Sequence, residues 1–123
     1  MGGAKRRHHD LKAWQVAMQV ARECYALTSR FPREELYGLT SQIRRSAVSV
    51  PSNVAEGAAR ASTKEFLQYL NIARASLSEL ETQILLARDF GFVDEKSHAS
   101  ISETLDHAFG VLGGLINSLR NKI

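Results

Sequence analysis

The run STKEFLQYLNIARASLSELETQILLARDFG, residues 62–91, opens on a capping box and closes on a glycine. In Ser62-Thr63-Lys64-Glu65 the serine hydroxyl is placed to accept the backbone N–H of Glu65, and the glutamate can reach back. Phe66, Leu70, Ala73, Leu77, Leu80, Ile84 and Ala87 then alternate steps of four and three. That spacing puts all seven on one stripe of a helix. Gly91 suits the left-handed residue that follows a helix end. The spacing predicts a rod about 40 Å long at about 1.5 Å per residue.

The same rhythm recurs downstream in Ile101, Leu105, Ala108, Leu112, Leu115 and Leu119, with Asp94 as the expected N-cap. Gly110, Gly113 and Gly114 each cost this helix about 1 kcal/mol against alanine. Close approach of a neighbouring helix is the expected compensation, although the adjacent pair Gly113-Gly114 has no firm account.

Upstream, a helix from about Glu34 to Ala59 buries Leu36, Leu39, Ile43, Ala47, Val50 and Val54. Pro51 lies inside it, removing one backbone donor and crowding the carbonyl of Ala47, so a bend is expected there. Two separate helices are the alternative, but the apolar spacing runs through Pro51 without a phase change. Gly57 weakens the last turn.

A first helix is expected from the cap Asp10 to about Thr28–Arg30, where Phe31-Pro32 disfavours continuation. Leu11, Trp14, Met18, Ala21 and Tyr25 form one stripe; Ala13, Ala17, Val20, Cys24 and Leu27 form a second beside it. Residues 1–9 read as a flexible basic arm ahead of a bundle domain, residues 10–123. The expected fold class is all-α: an antiparallel up-down-up-down four-helix bundle with a proline-kinked second helix.

The totals fit that reading. One domain of 123 residues with two prolines can be mostly helix. Its single cysteine, Cys24, allows no internal disulfide and suits a reducing compartment. No apolar run approaches a membrane span, and no apolar segment of the signal type follows the N-terminal charges. A cytoplasmic location with no membrane partner is expected. The net charge of +3 is uneven: residues 1–60 hold ten basic and five acidic side chains, residues 61–123 six and eight. A basic first half permits contact with nucleic acid without establishing it.

Catalytic patterns are missing. The chain has no phosphate-binding glycine loop, no dinucleotide fingerprint and no H-E-x-x-H. A di-metal bundle needs paired E-x-x-H motifs, and there are none. Glu103 and His107 share a face at i,i+4, but two ligands make an incomplete site. No enzyme activity, metal or cofactor is expected.

The second helix has an unusual polar face. At 100° per residue, Arg45, Ser49, Ser52, Asn53, Glu56 and Arg60 fall within a band roughly 100° wide, opposite the apolar set. Arg44 flanks it. The band reads in three ways: a solvated face with an i,i+4 Glu56–Arg60 pair, a subunit interface, or a phosphate contact.

Residues 37–57, YGLTSQIRRSAVSVPSNVAEG, closely resemble the signature of one family. It is the bacterial four-helix-bundle family encoded in intervening sequences of 23S ribosomal RNA genes. The accessory variability proteins of diversity-generating retroelements belong to the same group. The resemblance also takes in His9-Asp10-Leu11, Trp14-Gln15, Phe31-Pro32, Lys64-Glu65-Phe66 and residues 76–83, so it spans about residues 9–92.

The resemblance implies a ring-shaped homopentamer. For the retroelement members it also implies adaptors that bind a reverse transcriptase and nucleic acid through a basic surface. No catalytic residues carry over. The expected function is a non-catalytic homo-oligomeric, nucleic-acid-associated binding or adaptor protein; the alternative is a structural or protein-binding oligomer. Candidate contacts to RNA or DNA are Lys5, Arg6, Arg7, Arg44 and Arg60. Candidate interface residues are Arg45, Ser49, Asn53, Glu56 and Arg60.

Overall fold

The computed structural model describes residues 4–123. It contains four helices, α1 (Lys12–Thr28), α2 (Leu39–Ala58), α3 (Thr63–Asp89) and α4 (Glu95–Arg120), and no strand among the described residues. Short 3₁₀ turns, Arg7–Asp10 and Arg33–Glu35, precede α1 and α2. Each helix packs on two others: α1 on α2 and α4, α3 on α2 and α4, with no pairing across either diagonal. Ser49 meets Ser76 and Arg60 meets Tyr69, so numbers fall on α3 as they rise on α2. Thr28 meets Arg44, and Glu23 of α1 meets Thr104 of α4.

α3 follows the sequence closely. The Ser62 hydroxyl accepts the Glu65 N–H at 3.1 Å, and all seven stripe residues are buried. Gly91 has φ +84°, a conformation that would strain a side chain. Asp94 caps α4 by accepting the Ser97 N–H at 2.7 Å, and this bond holds its carboxyl below the usual carboxylate range.

Other boundaries move. α2 begins at Leu39, not near Glu34. Gly38 (φ −114°, ψ −116°) breaks the chain direction, and the Glu35 carboxylate accepts the Leu39 N–H at 3.0 Å. The first orphan donors of α2 are thus met from the preceding 3₁₀ turn, and Leu36 is left 47% exposed. α1 begins at Lys12, with Leu11 at the cap position; Asp10 closes the 3₁₀ turn and pairs with Lys5 instead. Of the two α1 stripes, the second is the core, with Val20 and Cys24 fully buried, while Trp14 and Met18 sit at its margin. In α4, Ile116 is buried rather than Leu115; steps of three and of four from Leu112 both fit the helical period, and packing decides between them.

α2 runs unbroken through Pro51, which is buried inside it. Gly57 has a reason to be glycine. A Cβ there would stand 2.7 Å from the Tyr69 Cβ and 3.0 Å from the Phe66 ring. It is this residue that brings α2 and α3 together. At Gly110, Gly113 and Gly114 the reverse holds: an added Cβ meets nothing within 4 Å, so no helix of this chain approaches there. The expected compensation for these three glycines is therefore not found within the chain.

Burial pushes the Cys24 thiol up to about 12, with the Glu23 charge adding to it. Such a thiol is inert as a nucleophile. Gln83 on α3 is buried, and its side-chain oxygen has no hydrogen-bond partner among the described residues. A buried carbonyl left unpaired is destabilising by roughly 1–3 kcal/mol. Gln83→Met keeps the length and removes the polar atoms, so chemical denaturation should show a gain of about 1 kcal/mol. A loss of stability would mean that Gln83 has a partner in solution.

Candidate nucleic-acid interface

Three arginines chosen from the sequence share one device. Each lies over an aromatic ring of the same chain, at 5.0 Å for Arg7 on Phe66, 4.6 Å for Arg44 on Tyr25 and 4.8 Å for Arg60 on Tyr69. A guanidinium is planar and weakly hydrated, so it can lie flat on a ring and still donate from its edge. Each guanidinium also has a hydrogen-bond partner within the chain.

Arg7 and Arg60 come together at one end of the bundle. Arg7 donates from Nη1 to the carbonyl of Ala58 at 2.9 Å, meeting an orphan acceptor in the last turn of α2. Arg60, just past that turn, donates from Nη2 to the Tyr69 hydroxyl at 2.7 Å and to Glu56 at 3.3 Å. Their rings, Phe66 and Tyr69, are the side chains packed against Gly57. Residues 53 positions apart thus flank the same α2–α3 seam. Lys5 and Arg6 precede Arg7 and are exposed. The Lys5–Asp10 pair at 3.0 Å is exposed on both sides and contributes little.

The segment read as a basic arm is only partly free of the bundle. Residues 1–3 lie outside the described residues. From residue 7 the chain is docked: His8 packs edge-on and His9 tilted against Trp14, with ring centroids 5.0 and 5.4 Å away. The Arg6 N–H donates to His9 Nδ1 at 3.1 Å, which requires that nitrogen to be unprotonated. His8 is held below its ordinary value of 6.5 by burial first, then by the His9 and Arg6 charges. A depressed value in the folded state means that the turn's contribution is present above pH 6.5 and is lost as pH falls through the folded value. Trp14 is the only tryptophan, so its emission should titrate with a midpoint below 6.5. In a His8→Ala, His9→Ala variant that titration should vanish. If it persisted, the rings would not be the sensor.

Arg44 stands apart, towards the other end of α2. Its Nε donates to Thr28 Oγ1 at 2.9 Å, and Thr28 in turn donates to the Cys24 carbonyl at 2.8 Å. Arg45, beside it, is exposed; neither forms an ion pair among the described residues. Both line an open groove of about 420 Å³ with Tyr25, Leu36 and Val48.

The polar band of α2 is not one free face. Ser49 bonds Ser76 at 2.9 Å, and Asn53 donates to both the Ser49 carbonyl and hydroxyl. Ser49 thus lies in the seam with α3, and Asn53 is tied back to it along α2. Arg45 and Glu56 remain exposed, and Glu56 makes the i,i+4 pair with Arg60. Glu103 and His107 line a groove with Lys12, and among the described residues no three candidate ligands form a metal cluster.

Sequence reasoning found the arginines and missed the supports Tyr25, Thr28, Phe66 and Tyr69. Their partners lie 9 to 59 positions away, and no periodicity pairs them. Fold and site together define an all-α four-helix bundle whose α2–α3 end carries ring-backed arginines. The chain belongs to the family of 23S rRNA-intervening sequence proteins, whose model matches residues 9–114. No curated protein matches the sequence. No helix among the described residues is long and apolar enough to cross a membrane.

Proposed function

We propose that this protein is a non-catalytic homo-oligomer, a pentamer by family resemblance, that binds RNA or DNA through phosphate contacts repeated around the assembly. The observation that carries the reading is the meeting of Arg7 and Arg60, both ring-backed, at one end of the bundle, beside Lys5 and Arg6. Rigid guanidinium groups suit phosphate, because little conformational freedom is lost on contact. One chain at +3 is a weak polyanion binder; five copies multiply both the charge and the number of patches. Arg44 lies outside this patch and is not needed for it. No row of exposed aromatics accompanies the patch, so little sequence preference is expected.

The second reading is a structural or protein-binding oligomer, a reverse transcriptase being the partner that the resemblance suggests. It is favoured by the internal engagement of all three arginines. Affinity for duplex DNA and a structured RNA, measured from low to physiological salt, separates the two. Binding absent even at low salt would end the nucleic-acid reading.

A further inference from the structure

Two exposed apolar surfaces of this chain complement each other in charge. The first is the α1–α2 groove. Tyr25, Leu36 and Val48 are 45%, 47% and 43% exposed, Arg44 and Arg45 line the same concavity, and no carboxylate does. The second is the outer stripe of α3. Ile72, Glu79, Thr82, Leu86 and Phe90 are all exposed and follow one another at helical spacing. Glu79 makes no ion pair among the described residues.

The two surfaces also lie at the same height on the bundle. Ser49 is level with Ser76, and Gly57 abuts Tyr69. Counting along both helices at about 1.5 Å per residue puts Arg45 level with about residue 80, beside Glu79. A chain cannot fill its own groove with this stripe, because α1 and α3 sit on opposite corners of the bundle and make no contact.

We infer that the groove of one copy receives the α3 stripe of the next, with Glu79 paired with Arg45 beside Tyr25 and Val48, and with Leu86 and Phe90 towards Leu36. Such a contact joins two different surfaces, and contacts of that kind close into rings when the rotation allows. With both surfaces at one height, the neighbour is displaced sideways rather than along the helices, as ring closure needs. Arg44, already fixed on Tyr25, borders the pair without rearranging. This deepens the oligomeric reading above and rests on it, replacing most of the α2 polar band as the interface.

The test is a charge swap read by sedimentation equilibrium. Arg45→Glu and Glu79→Arg should each weaken assembly by at least tenfold, and the double variant should recover most of the loss. Both side chains are exposed and form no ion pair among the described residues, so circular dichroism should show every variant folded. If the wild type sediments as a monomer, the oligomeric reading itself fails, and this interface with it. If the wild type assembles and the single reversals leave it intact, or the double variant is not rescued, the interface alone is wrong. Intact assembly with lost RNA binding in Arg45→Glu would assign the groove to phosphate and overturn the inference.

Discussion

Gly57→Ala should destabilise the fold by about 2–3 kcal/mol, as expected for overpacking in a tight core. The new Cβ would stand 2.7 Å from the Tyr69 Cβ and 3.2 Å from the Phe66 carbonyl, one of them fixed near the backbone and the other part of it. Neither is the movable end of a flexible side chain, so α2 and α3 must separate. That separation would also loosen the rings under Arg7 and Arg60. The same exchange at Gly114 has open space and gains helix propensity, so an isolated chain should become more stable by about 1 kcal/mol. Urea titration of the two variants side by side reads the contrast. Equal effects at both sites would contradict the packing described for α2 and α3.

Replacing Arg7 and Arg60 together by glutamine should lower affinity for duplex DNA at low salt on the order of a hundredfold, since each lost contact is repeated around the assembly. Both arginines also have work inside the chain: Arg7 meets the Ala58 carbonyl and Arg60 the Tyr69 hydroxyl. Arg7→Lys with Arg60→Lys is therefore the informative partner. Lysine keeps the charge while losing the planar fork and the flat stack. The lysine pair should retain most of the salt dependence and the glutamine pair should lose it. If thermal melts show the glutamine pair folded and it binds like wild type, the contact lies elsewhere.

The sequence carried more of the fold than of the site. α3 was legible to the residue because local signals agreed: a capping box, an unbroken apolar stripe and a terminal glycine in the left-handed region. The start of α2 was not, because Leu36 continues the apolar spacing while Gly38 ends the helix path. Spacing sees side chains and not backbone angles. In α4 the apolar residues Leu115 and Ile116 are adjacent, and only the packed bundle selects between them. Gly57 looked like a weakness of the last turn. Its role depends on Tyr69 and Phe66, which a helix-by-helix reading does not bring near.

At the site, residue type was enough to nominate the arginines and not enough to group them. Arg44 sits near the start of α2 and Arg60 just past its end, while Arg7 joins Arg60 from 53 positions away. Ser49 and Asn53 shared a polar band with Arg45 by angle. A helical wheel has no neighbour in it; α3 meets the band at Ser49, and Asn53 turns back on Ser49.

The most direct test of the proposed function is the slope of log affinity against log salt for the assembled wild-type protein on duplex DNA. Each phosphate contact adds about −0.9 to that slope. With Arg7 and Arg60 contributing from more than one protomer, a slope steeper than about −3 is predicted, together with similar affinity for unrelated sequences. A slope near zero, or no binding at low salt, would contradict the account.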